Sequence, residues 1–208
     1  MPSLARSERS ALCDLFDEVG PDAPTLCEGW ATRDLAAHLR VRETSPLAAG
    51  IAVSALQPLL QRQQDRVAAG DFTRLVDQVR HPPRWSPAGW SEIDKRMNFV
   101  EFFVHNEDVR RAQPGWEPRT LAPSYDRALW AVLGSQAKLL YRKATVGVRL
   151  RTPDGRELLA RSGDPEVTIV GPPSELVMHA FGRTDHARVA VEGSPQAVAA
   201  FGTTSLGI

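Results

Sequence analysis

Cysteine is scarce in this chain: Cys13 and Cys27 are the only two in 208 residues. They form no Cys-x-x-Cys pair, which argues against both a disulfide scaffold and a thiolate-rich zinc site. Net charge is also lacking, because Lys plus Arg and Asp plus Glu number 25 each. No global basic field therefore recommends nucleic acid or an anionic membrane as a partner. Long apolar runs are missing too, with no window near the roughly 18 consecutive residues of a membrane span. The opening Met1-Pro2-Ser3-Leu4-Ala5-Arg6-Ser7-Glu8 has no secretory apolar core. These absences lead us to expect a cytoplasmic protein with neither membrane nor nucleic-acid partners.

What is present suffices for a real core: 42% of the residues are hydrophobic, enough for one large domain or two small ones. Helical spacing of apolar residues predicts helices over 3–19, 32–43, 47–69, 72–79, 91–111 and 123–143, with Gly and Pro between them. Thr32 is the expected N-cap of the second, and Asp34 suits its first turn. Cys13 falls on the apolar face of the first helix beside Leu12, Leu15 and Phe16, as a core residue would. The stretch from His81 to Trp90 reads as a loop by composition, with Trp85 and Trp90 as walls of a site mouth or as packing groups.

After Thr145 the period changes to two. Val146, Val148 and Leu150 alternate with Gly147, Arg149 and Arg151, and Pro153-Asp154-Gly155 turns the chain into a second strand over 157–161. Strands over 167–170 and 188–191 and helices over 171–181 and 195–201 complete a βββαβα order. The expected fold class is α+β, with a helical domain over 1–144 and a small α+β domain over 145–208.

The chemistry concentrates in the helix over 91–111. Glu101 and His105 stand four residues apart, so they share one face, and Asp94, Asn98 and Asp108 extend the same stripe between Met97, Phe99, Val100, Phe102, Phe103 and Val104. A carboxylate threaded through apolar neighbours needs a positive partner. A divalent metal bound by His105 and Glu101 would supply it, and so would an arginine in a buried polar network. His38, at the edge of the face carrying Leu35 and Leu39, is the candidate third ligand and leaves a position for water or substrate. Asn98 is a candidate substrate contact. Cys27, shortly before the His38 helix, is placed to approach the site, and His81 is a further histidine within its potential reach.

These residues carry a resemblance. Trp30-Ala31-Thr32-Arg33-Asp34-Leu35-Ala36-Ala37-His38-Leu39, followed by Glu101-x-x-x-His105, resembles the metal-binding half of the mycothiol-dependent maleylpyruvate isomerase family, within the DinB-like four-helix bundles. Gly171-Pro172-Pro173-Ser174-Glu175-Leu176-Val177-Met178-His179-Ala180-Phe181-Gly182-Arg183 resembles the sterol-carrier-like α+β module of the same family. Through Asn106-Glu107-Asp108-Val109-Arg110-Arg111 the chain looks closer to an actinobacterial branch than to the isomerase itself. The resemblance implies a zinc-type ion (nickel being the other candidate) on His38, Glu101 and His105, with mycothiol as co-substrate beside a small-molecule substrate; a homodimer is the expected assembly. Arg183 is the candidate anchor for an anionic or polyhydroxylated ligand.

Three functions fit these residues. The first is a metal-dependent transferase or isomerase using a low-molecular-weight thiol, since a metal lowers the pKa of a ligating thiol. The second is a metal-dependent hydrolase on the same bundle. The third is a non-catalytic ligand-binding module with a structural metal, which three non-thiolate ligands disfavour because structural zinc is usually closed by four protein ligands.

Overall fold

The computed structural model describes residues 3–45, 57–83, 92–204 and 206–207, with the side chains of 92–97 excluded. Trp85, Trp90, the Asp94 side chain and the first half of the helix expected over 47–69 lie outside the described residues. Contacts between backbone segments divide the chain into two compact units, 1–117 and 118–208.

The first unit is helical. Helix α1 (Leu4–Val19) begins where the Ser3 hydroxyl accepts from the Arg6 N–H, and it ends at Gly20, whose φ of 80° an L side chain would resist. Helix α2 spans Thr32–Thr44, α3 Gln57–Ala68, α4 Phe72–Arg80 and α5 Glu92–Arg111. Thr32 is not the N-cap of α2 as expected. Ala31 holds that position, and its N–H is met by the Asp34 carboxylate at 2.9 Å, while the Thr32 hydroxyl donates to the Gly20 carbonyl.

Helix α1 lies along α5, and α2 packs on α3 and α4. Their shared core contains Leu12, Phe16, Leu35, Leu39, Val76 and Phe102, together with Cys13. Burial pushes the Cys13 thiol up to about 12, so it serves as an inert apolar group. One charged residue joins four helices: Arg9 of α1 donates to the buried Glu43 of α2 and to the Val79 carbonyl of α4, and its guanidinium lies 4.2 Å from the Phe102 ring centroid of α5. Such a pair fixes the arrangement more than it adds net stability, because both charges had to be desolvated.

The second unit comprises α6 (Pro123–Leu140), β1 (Gly147–Arg151), β2 (Glu157–Arg161), β3 (Glu166–Val170), α7 (Pro173–Ala180), a 3-10 turn (Thr184–His186), β4 (Ala190–Gly193) and α8 (Pro195–Gly202). The strands form one sheet in the order β2-β1-β3-β4, with β1 parallel to β3 and the other pairs antiparallel. Leu150 stands opposite Leu158 and Ile169. Val148, Leu150, Val167 and Ile169 are fully buried while Arg149 and Thr168 are not, which is the two-residue alternation of a half-covered sheet. Helix α6 packs on α7 and β2, so it belongs to this unit and the division falls after Glu117 rather than near residue 144. Tyr141, buried just past α6, donates its hydroxyl to Nδ1 of the buried His179 at 2.9 Å. Burial pushes that imidazole down to about 4, so it stays neutral and accepts the bond.

The chain is thus α+β. No helix among the described residues is long and apolar enough to cross a membrane.

Candidate metal centre

Two helices and one loop of the first unit build the site. Helix α5 presents Glu101 and His105 one turn apart, while buried Phe99, Val100, Phe102, Phe103 and Val104 hold it in place. Helix α2 presents His38 from a turn whose Leu35, Ala36, Ala37 and Leu39 are fully buried. The loop 25–30 is compact because the Thr25 hydroxyl donates to the Trp30 carbonyl at 2.9 Å and accepts from the Cys27 N–H at 3.1 Å. Its Leu26 N–H donates to the Asp108 carbonyl at 3.0 Å, which fastens the loop to α5.

The expected three residues meet. A single oxygen, Oε1 of Glu101, lies 3.4 Å from Nε2 of His38 and 3.3 Å from Nε2 of His105. The three ligand atoms all fall within 4.8 Å of one another. A tetrahedral ion with bonds of about 2.0–2.1 Å sets its ligand atoms about 3.3–3.4 Å apart, and the two edges that meet at Glu101 have that length. They are longer than a strong N–H to carboxylate hydrogen bond of about 2.7–2.9 Å, though still within hydrogen-bonding reach. Oxygen and two imidazole nitrogens form the mixed donor set that zinc and its neighbours accept.

The other face of His105 is fixed by a buried carboxylate. Nδ1 is 2.9 Å from Oδ2 of Asp108, which is fully buried. The Nδ1–H donates there, which leaves Nε2 as the nitrogen that meets Glu101 and the one that would be free for a metal. Cys27 joins the same oxygen, its thiol donating to Asp108 Oδ2 at 3.2 Å with Sγ 3.8 Å from His105 Nδ1. Cys27, His105 and Asp108 form a second group with metal-binding spacing, but its distances also satisfy hydrogen bonds, and its effect is to orient the ring. The indole of Trp30 packs against His38 with ring centroids 5.1 Å apart.

Charge is arranged to favour a cation between the rings. Burial alone would raise Glu101, but the hydrogen bonds from His105 and His38 and the Arg42 charge outweigh it and hold the carboxyl well below its usual range. Burial likewise disfavours charge on His105, yet Asp108, Cys27 and Glu101 raise it well above the usual imidazole value. Surroundings that draw a proton to Nε2 draw a divalent ion to the same lone pair. The arginine partner considered for Glu101 is also present: Nε of Arg42 lies 3.3 Å from Oε1, and Nη1 donates to Asn98 Oδ1 at 2.9 Å. Asn98 therefore holds the arginine that covers Glu101.

His81 is exposed and pairs with Asp77 on its own helix at 3.0 Å. Arg183 stands in the second unit, where Nη1 donates to the Phe181 carbonyl at 2.6 Å just after α7. Sequence reasoning missed Arg42, although it stands four residues from His38 on the same face. It also missed that Asp108, three residues after His105, is that ring's hydrogen-bond partner.

The chain is defined by this fold and centre as an α+β protein with a His-Glu-His cluster in a helical unit. No family profile and no curated protein matches it in sequence. Two solved structures share its fold: the mycothiol-dependent maleylpyruvate isomerase, at 20% identity with a TM-score of 0.54, and a mutant of a mycothiol-dependent maleylpyruvate isomerase, at 21% with a TM-score of 0.53. Each alignment covers 91% of this chain and 90% of that one, so the likeness spans both units.

Proposed function

We propose that His38, Glu101 and His105 bind a divalent metal, zinc before nickel, in a metal-dependent enzyme that uses a low-molecular-weight thiol of the mycothiol type in transfer or isomerisation. The observation that carries the metal is the placement of one carboxylate oxygen at tetrahedral-edge distance from two Nε2 atoms. The thiol rests on the fold shared with the mycothiol-dependent isomerase and on the residues that resemble that family. On the same grounds we infer that the chain belongs to the family, with a DinB-like bundle and a sterol-carrier-like second unit, and acts in the cytoplasm.

The metal, when bound, supplies Lewis acidity that favours the thiolate form of a thiol at neutral pH. The chain's own groups set up that chemistry. Two neutral imidazoles and one carboxylate leave a divalent ion with excess positive charge, so an anionic fourth ligand is welcome. Asp108 keeps the Nδ1 proton on His105 and so keeps Nε2 available. Arg42 sits over Glu101, draws off part of its charge and adds to the positive field beside the open position. Trp30 covers His38 with an apolar face, excluding water from that side.

The test is elemental analysis of the purified chain beside His38→Ala and Glu101→Ala. We expect about one ion per chain in the parent and loss of it in both variants. Stoichiometric metal in either variant, or none in the parent after reconstitution, would reject the centre.

A further inference from the structure

A cavity of about 160 Å³ opens beside the centre, lined by Trp30, His38, Val41 and Arg42 on one side and by Leu60 and Gln64 of α3 on the other. We propose that it receives the carbon chain of the thiol, and that Arg42 and Gln64 hold an acceptor oxygen on that chain, a carbonyl or a carboxylate. The inference rests on the metal-and-thiol reading above.

His38 belongs both to the ligand cluster and to the cavity wall, so a group leaving the centre on this flank enters the cavity directly. Two polar groups there have unused hydrogen-bonding capacity. Arg42 spends Nε on Glu101 and Nη1 on Asn98, and its Nη2 has no partner among the described residues. Gln64 is only 8% exposed, yet its carboxamide makes no hydrogen bond among the described residues. A carboxamide on the cavity wall with no partner among the described residues can hydrogen-bond a ligand oxygen. Among the described residues no carboxylate lines the cavity. Trp30, Val41 and Leu60 suit methylenes between the sulfur and that oxygen. The volume is close to the roughly 150 Å³ that encloses a benzene-sized molecule, which suits a short carbon chain.

The full chain loaded with cobalt reports thiol binding through its near-ultraviolet thiolate charge-transfer band. Three probes are titrated: propanethiol, which has no acceptor; N-acetylcysteamine, with a neutral amide; and mercaptopropionate, with a carboxylate. At least one acceptor-bearing thiol should bind about 5–20-fold tighter than propanethiol, the worth of one or two hydrogen bonds. Arg42→Met and Gln64→Leu should each reduce that advantage, with cobalt content measured in every variant. Tighter binding of N-acetylcysteamine identifies an amide carbonyl as the source, and tighter binding of mercaptopropionate a carboxylate. Equal affinity for all three probes, or a preference that survives Gln64→Leu, overturns the cavity assignment while leaving the thiol reading intact. No band with any thiol, propanethiol included, rejects the thiol reading and this inference with it.

Discussion

Asp108 meets the candidate ligand trio at His105 Nδ1, where it decides which imidazole nitrogen carries the proton. Asp108→Asn replaces a charged acceptor with an amide that can offer the ring the wrong group. We expect metal affinity to fall about 10–100-fold, the usual cost of losing such a partner, measured by competition with a chromophoric chelator. Unchanged affinity would show that the Cys27 and Leu26 contacts hold the ring without it. That His38, Glu101 and His105 come together was legible in the sequence, because spacing of four puts Glu101 and His105 on one helix face and polar groups in an apolar stripe need a reason to be there. Arg42 and the role of Asp108 were not, since an arginine or aspartate on a helix reads equally well as a solvated charge. Only the packing of α2, α5 and the loop 25–30 shows that both face inward on the same cluster.

Among the elements, the strands were readable from their alternation. The strand over 157–161 and the helix over 195–201 match β2 and α8 to within a residue, whereas β4 starts two residues later than expected, at Ala190. What alternation could not show is the close approach at the start of β1, where a Cβ on Gly147 would collide with the Gly163 carbonyl oxygen and Gly147 N–H donates to Pro165 at 2.9 Å. Gly147→Ala must push the two backbones apart, so we expect a loss of about 1–3 kcal/mol, read as a lower urea midpoint. An unchanged midpoint would mean that the 162–165 segment yields freely. The N-cap of α2 was misread for a related reason. Threonine is a good cap by propensity, but here its hydroxyl is engaged by Gly20, twelve residues upstream, and Asp34 meets the terminal N–H instead.

For the whole molecule, the membership of α6 was beyond the sequence's reach. Its apolar face has the same period as the helices of the first unit, and period alone does not name the core that a face meets. The second unit carries its own acid sensitivity in His179. Its folded value of about 4 lies below the ordinary 6.5, so the unfolded state binds a proton that the folded state refuses. Stability conferred by the neutral ring is complete above pH 6.5 and is lost as pH falls towards 4, by on the order of 3 kcal/mol. Urea unfolding of the second unit at pH 7 and pH 5 should show this slope, and His179→Phe should flatten it; a slope that persists in the variant would assign the effect to carboxylates instead. The division after Glu117 has another consequence. The chain passes from one unit to the other once, and every residue of the His-Glu-His centre, from Cys27 to Asp108, lies upstream of that passage. A single recombination break there would hand on all of these residues as one heritable cassette, free to be joined to different downstream partners, while the second unit could diverge without altering any of them.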